Sequence, residues 1–183
     1  ILPAFLLASV ALTAQDVAWS LQRVVTLNRA LASTWKAYGY TAQNVAQTMR
    51  AEGPLTFVLD LPRPTDPLLV LNTLATSPSA FIIDRHTALQ HAQGEDQGAA
   101  WLTTHTAGSG AFKLDIWRAN DVILMTRFDN YWRGPAKMRR VIMRNMTESQ
   151  ALRLMVERGD LDVARGMAAT DIKALTRSPE VNV

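Results

Sequence analysis

Hydrophobic and polar positions alternate with two different periods along this chain, and each change of period marks an element. Phe112, Leu114 and Ile116 alternate with Lys113, Asp115 and Trp117, a period of two that predicts a half-buried strand. Residues 118–121 supply a turn in which Asn120 and Asp121 tolerate the left-handed backbone of a tight hairpin. Residues 122–127 then return as a strand, whose nearly continuous apolar run predicts burial on both faces. Gly108 and Gly110, just ahead of this hairpin, predict a tight bend or the close approach of another segment. Leu55, Phe57, Leu59 and Leu61 share a face against Thr56, Val58 and Asp60, a strand stopped by Pro62, Pro64 and Pro67. Residues 140–146 alternate Val141 and Met143 with Ile142 and Arg144, a further strand. Shorter extended pieces are expected at 81–83 and 161–164, and a strand begins at 181–183.

Helical spacing appears between these strands. Thr13 with Asp16 three positions on has the form of a helix start, and Val17, Leu21, Val24 and Val25 then fall on one face. A second helix is predicted over 42–51, ending near Gly53 and Pro54, and a short apolar one over 68–74. Thr147-Glu148-Ser149-Gln150 predicts a second capping box, with Ala151, Leu152, Met155 and Val156 as buried face and Gly159 just past the end. Thr170-Asp171-Ile172 opens a brief helix that closes at Ser178-Pro179, and residues 93–98 are a polar surface loop.

Composition narrows the class. Hydrophobic residues make up 48% of 183, enough for a packed core, so a disordered chain is excluded. Nineteen basic against sixteen acidic residues give +3, and the cations are dispersed apart from Lys137, Arg139 and Arg140. That lacks the electrostatic footprint of a nucleic-acid binder. The absence of cysteine removes disulfides, thiolate metal sites and cysteine nucleophiles, and suits either side of a membrane. Residues 1–12 are an apolar run without a charge, shorter than the roughly 20 residues that cross a bilayer as a helix. They have the length of a signal-peptide core with Ser9-Val10-Ala11 as a cleavage motif, which suggests export; a truncated core segment fits equally.

Catalytic constellations are weak. His86 and His91 are five apart, off the i, i+4 spacing that turns two imidazoles toward one metal. Asp84, His86, His91 and Glu95 form at most a loose cluster, for which a solvated face is the favoured reading and a hydrolase or metal enzyme the alternative. Ser109 stands in Gly-Ser-Gly ahead of a strand, not in the strand-to-helix elbow of a serine hydrolase. Asp160 and Asp162 would share a strand face, where solubilising or capping roles are favoured. The aromatic stretch from Trp35 to Tyr40 suits a ligand cleft or a half-buried loop, and from the residues alone the half-buried loop is the favoured reading.

Taken in order, the motifs resemble the peptide/nickel class of extracellular solute-binding proteins that serve ABC importers. They are Thr13-Ala14-Gln15-Asp16-Val17 with Ser20-Leu21 and Arg23, the 55–62 strand, and Gly108-Ser109-Gly110-Ala111-Phe112-Lys113-Leu114. Asn130-Tyr131-Trp132-Arg133-Gly134, Gly159-Asp160-Leu161-Asp162 and Val181-Asn182-Val183 complete the set. Alanine at 111 replaces the family's usual proline, and the apolar 1–12 stands where the family has a long N-terminal portion. The resemblance implies an α+β (mixed α/β), two-lobed periplasmic-binding-protein-like fold, only part of which is present. Residues 13–105 would be a smaller inserted domain, and 106–183 the second segment of the first lobe, ending near the inter-lobe crossover. It further implies an exported, periplasmic or extracellular, non-enzymatic monomer without cofactor. Such a protein closes two lobes on a peptide or other small solute and delivers it to an inner-membrane ABC permease; with only part of the fold present, a fragment that folds but binds nothing is the alternative. Arg165, Gly166 and Met167 fall where the family lines its cleft, and Tyr38 lies near a family aromatic that reaches the ligand. Arg165 suits a ligand carboxylate, Gly166 exposes main-chain donors, and Met167 offers an adaptable apolar wall.

Overall fold

A computed structural model describes residues 6–7, 10–29 and 31–183. The reading of residues 1–12 as a signal or core segment rests partly on residues 1–5, 8 and 9, which lie outside the described residues. Leu6–Leu7 (β1) and Val10–Ala11 (β2) pair antiparallel. Ala14–Thr26 (α1), Ala32–Ala37 (α2) and Val45–Thr48 (α3) follow. Met49–Ala51 (β3) and Phe57–Leu59 (β4) form an antiparallel pair in which Met49 faces Leu59. Pro67–Thr76 (α4) and Arg85–Gln90 (α5) come next, with short 3-10 turns at Pro78–Ala80 and Trp101–Thr103. Phe112–Arg118 (β5), Val122–Arg127 (β6) and Arg140–Arg144 (β7) make a three-stranded sheet in that order, and Ser149–Glu157 (α6) and Ala169–Leu175 (α7) close the chain.

The chain divides into two compact units, one of residues 1–116 and 124–141, the other of residues 117–123 and 142–183. In the first, the predicted capping box forms. The Thr13 hydroxyl oxygen accepts the Asp16 N–H at 3.4 Å, and Asp16 accepts the Thr13 N–H at 2.8 Å. The apolar stripe of α1 then buries Leu21 and Val25 against Trp35, Tyr40, Val45 and Met49, while Val17 and Val24 pack at the margin. Trp35 and Tyr40 meet edge to face at 5.7 Å. Their polar tips are satisfied, the indole N–H by the Ser79 carbonyl at 3.2 Å and the phenol by the Asp60 carbonyl at 3.0 Å. Burial, reinforced by the Asp60 charge, pushes the Tyr40 phenol up to about 12.

Polar residues of α1 hold the distant segment 83–85. The Ser20 hydroxyl donates to the Ile83 carbonyl at 3.1 Å and accepts the Ile83 N–H at 2.9 Å. One helical turn earlier, Asp16 also accepts the Arg85 N–H at 3.1 Å, so a single carboxylate serves the first turns of α1 and α5. Arg23 donates to the Gln97 carbonyl at 3.0 Å. The Thr13, Asp16, Ser20 and Arg23 pattern is therefore a clamp built on one helix.

Several expectations are corrected. The predicted helix over 42–51 is the single turn of α3 followed by β3, because Met49, Arg50 and Ala51 find a ladder partner in β4. Residues 122–127 are half-buried throughout, not buried on both faces; β6 is the central strand, flanked by β5 and β7. Of the two alternatives at Gly108 and Gly110, the chain bends at Gly110 and Ala111 and no segment approaches closely: neither glycine has positive φ, a Cβ at Gly108 meets nothing within 4 Å, and one at Gly110 only the Phe112 carbonyl oxygen at 4.0 Å. Residues 81–83, 161–164 and 181–183 form no strand, since among the described residues none has a strand to pair with. Asp160 and Asp162 therefore share no strand face. The Thr147 capping box does not form either, because α6 begins at Ser149 with Glu148 before it and no side-chain cap.

Candidate functional site

The segment 165–167 is framed by two helix termini in the second unit. At the end of α6, the Gly159 N–H meets the Val156 carbonyl at 3.0 Å and the Asp160 N–H meets the Met155 carbonyl at 2.8 Å. This is the paired closure of a Schellman end, with Gly159 just past the last helical residue as expected. Seven residues with no ladder or helix partner then run to Ala168, which precedes α7.

What fixes the far end is Ser149. Its hydroxyl oxygen accepts the Ala168 N–H at 2.8 Å and donates to Asp171 Oδ2 at 2.5 Å. An ordinary capping box lets the third helical residue accept the N-cap N–H directly. Here the α6 hydroxyl stands between the two, so one serine caps α7 and ties it to α6. Asp171 is 8% exposed and is approached on its other oxygen by the Arg153 guanidinium at 3.7 Å. Arg153 Nε also faces Glu157 at 3.9 Å, and both distances are ion pairs beyond hydrogen-bond reach. The sequence offered Ser149 only as part of the Thr147 capping box; the readable signal was Asp171 at the start of α7.

On this frame Arg165 is exposed and makes no ion pair with any described residue, and Met167 is half-buried. Gly166 has φ +76°, and a Cβ there would meet nothing within 4 Å. Backbone conformation, not space, asks for glycine at this position. The arrangement presents a free guanidinium, open main chain and a thioether in consecutive positions, a set able to hold a carboxylate beside an apolar group.

Tyr38 belongs to the first unit. Its hydroxyl donates to the Leu69 carbonyl at 3.2 Å and lies 2.8 Å from the Thr73 hydroxyl, tying α2 to α4, and its ring meets Trp35 edge-on at 6.2 Å. The histidine region is occupied structurally. Asp84 is buried as the N-cap of α5, accepting the His86 N–H at 3.0 Å and the Thr87 hydroxyl. His91 stacks on Trp101 at 4.3 Å, His105 stacks on the same indole at 4.6 Å, and Glu95 is exposed. Among the described residues no three His, Asp or Glu side chains converge to hold a metal. A shallow cavity of about 280 Å³ sits at the β5–β6 turn beside Asn120 and Asp121, and one of about 440 Å³ beside Lys36 and Tyr40. Neither is lined by Tyr38, Arg165, Gly166 or Met167.

Known proteins share both sequence and fold with this chain. A probable D,D-dipeptide-binding periplasmic protein, DdpA of Escherichia coli (strain K12), is 31% identical over 128 residues, covering 70% of this chain and 24% of the relative. The A. tumefaciens R10 protein MoaA, solved with mannopinic acid, superposes with a TM-score of 0.73 at 25% identity over 92% of this chain and 31% of its own. DppA from Helicobacter pylori, an ABC transporter-associated periplasmic binding protein in complex with the peptide STSA, gives 0.72 at 19% identity over 93% and 33%. The chain thus spans about a quarter to a third of the length of the proteins it matches. Its mixed helices and sheets are a fragment of the two-lobed periplasmic-binding fold of these neighbours. With the family profile matching residues 10–183, the chain belongs to the bacterial extracellular solute-binding proteins, family 5, a family of binding proteins and not of enzymes.

Proposed function

We propose that this chain is part of the solute-binding component of an ABC importer, acting outside the cytoplasmic membrane as a monomer. The protein captures a peptide or similar small carboxylate-bearing solute between two lobes and hands it to an inner-membrane permease. In this reading residues 13–105 belong to the inserted domain and 106–183 to the first lobe. The observation that carries the proposal is the 165–167 segment: an exposed, ion-pair-free Arg165 followed by open main chain at Gly166 and then Met167, held in place through Ser149. Membership of the family and the solutes named for its relatives support it: a D,D-dipeptide, mannopinic acid and the peptide STSA. Tyr38 takes second place as a contact through its ring, since its hydroxyl is already used.

Calorimetric titration of those three solutes into the 183-residue chain tests the reading. At least one is expected to bind, and Arg165→Ala to weaken it roughly 10- to 100-fold, the value of a hydrogen bond to a charged group. Binding indifferent to Arg165→Ala overturns the assignment of the site, and binding of none assigns the chain to the reading of a fragment that folds without binding.

A further inference from the structure

The loop joining β6 to β7 has no part in the solute reading. Its base is braced. Phe128, 5% exposed, donates its N–H to the Ala111 carbonyl at 2.9 Å and carries Lys113 Nζ over its ring at 4.2 Å. Arg127 ties both limbs: its N–H donates to the Arg139 carbonyl at 2.9 Å, and its guanidinium to Asp129 at 2.6 Å and the Ala136 carbonyl at 3.1 Å. The Gly134 N–H closes the tip on the Tyr131 carbonyl at 2.8 Å.

This braced loop and the first residue of β7 display Arg133, Lys137, Arg139 and Arg140, all exposed, and none forms an ion pair with a described residue. Trp132 is 39% exposed and Met138 64%, and the Arg133 guanidinium lies over the Trp132 ring at 4.4 Å. No acidic residue occurs between Asp129 and Glu148. From Asn130 to Thr147 the chain carries five basic residues, these four and Arg144, with no acidic residue to offset them.

We propose that the loop docks on an anionic phospholipid surface. Cations interleaved with an indole and a thioether match the chemistry of a bilayer interface. The guanidinium and ammonium groups meet headgroup phosphates while Trp132 and Met138 enter the headgroup level. An acidic polypeptide would use the cations but leaves the exposed Trp132 and Met138 without a role. The inference stands on the loop alone and does not depend on which solute is bound.

Co-sedimentation of the 183-residue chain with vesicles tests it, comparing phosphatidylcholine alone with phosphatidylcholine mixed with phosphatidylglycerol. The protein is expected to sediment only with the anionic vesicles, less as salt rises. Arg139→Glu with Arg140→Glu is expected to lower partitioning at least about tenfold, with an unchanged circular dichroism spectrum. Trp132→Ala with Met138→Ala is expected to lower it while keeping the salt dependence. No sedimentation with anionic vesicles, or partitioning unaffected by charge reversal, overturns the proposal. Binding to polyglutamate as tight as to the vesicles and indifferent to Trp132→Ala assigns the loop to an acidic polypeptide instead, and equally overturns it.

Discussion

Replacing Ser149 with alanine removes one oxygen that serves two helices. The donated bond to Asp171, at 2.5 Å from a carboxylate 8% exposed, is charge-assisted and costs about 1.5–3 kcal/mol when lost. The accepted bond from Ala168 adds little, because that exposed N–H can turn to water. Alanine is a better helix former than serine at an α6 position, which returns about 0.5 kcal/mol. The net expectation is a loss of about 1–2.5 kcal/mol, read as a lower urea midpoint without a change in slope. The effect is local in origin, so amide exchange in α7, beginning with the Ile172 N–H that bonds the Ala168 carbonyl, accelerates roughly tenfold or more. Ser149→Thr keeps the hydroxyl and most of the stability. Combining Ser149→Ala with Asp171→Asn costs less than the two single losses together, since both remove the same bond. A Ser149→Ala protein with unchanged midpoint and unchanged α7 exchange refutes the relay.

Two glycines with similar backbone give a sharper contrast. Gly98→Ala, at φ +74° with its Cβ only 2.3 Å from the Ala88 carbonyl oxygen, is expected to cost about 3 kcal/mol or more. Gly166→Ala, at φ +76° in open space, is expected to cost only about 1–2 kcal/mol in the same denaturation assay. Tyr40, raised from 10.0 to about 12, contributes stability that is fully present below pH 10 and lost as pH rises through the folded value. A tyrosinate absorbance titration therefore shows one phenol ionising near the top of that window, a component that Tyr40→Phe abolishes.

The strands of the β5–β6 hairpin and the cap of α1 were legible because each depends on neighbours in sequence. Phe112 to Arg118 alternates, Asn120 takes φ +58° at the turn, and Thr13 and Asp16 answer each other three residues apart. Elements that depend on distant partners were not. The Met49–Ala51 strand exists because β4 is there to pair with it, and residues 161–164, with equal alternation, stay unpaired. The clamp from Ser20 to Ile83 crosses 63 positions, and the Ser149 relay crosses 19 to Ala168 and 22 to Asp171; no local period encodes either. Arg165, Gly166 and Met167 came from the family's motif order alone. Their exposure, backbone conformation and anchoring emerge only once α6 and α7 are in place.

Solute is proposed to meet the chain at Arg165, Gly166 and Met167. Nuclear magnetic resonance titration of the isotope-labelled protein reads it most directly, following the Gly166 amide as a solute that binds in calorimetry is added. A saturable shift of that signal is expected, with the half-point moved to higher concentration in Arg165→Ala. Saturation of the protein with solute while the Gly166 amide stays fixed would contradict it.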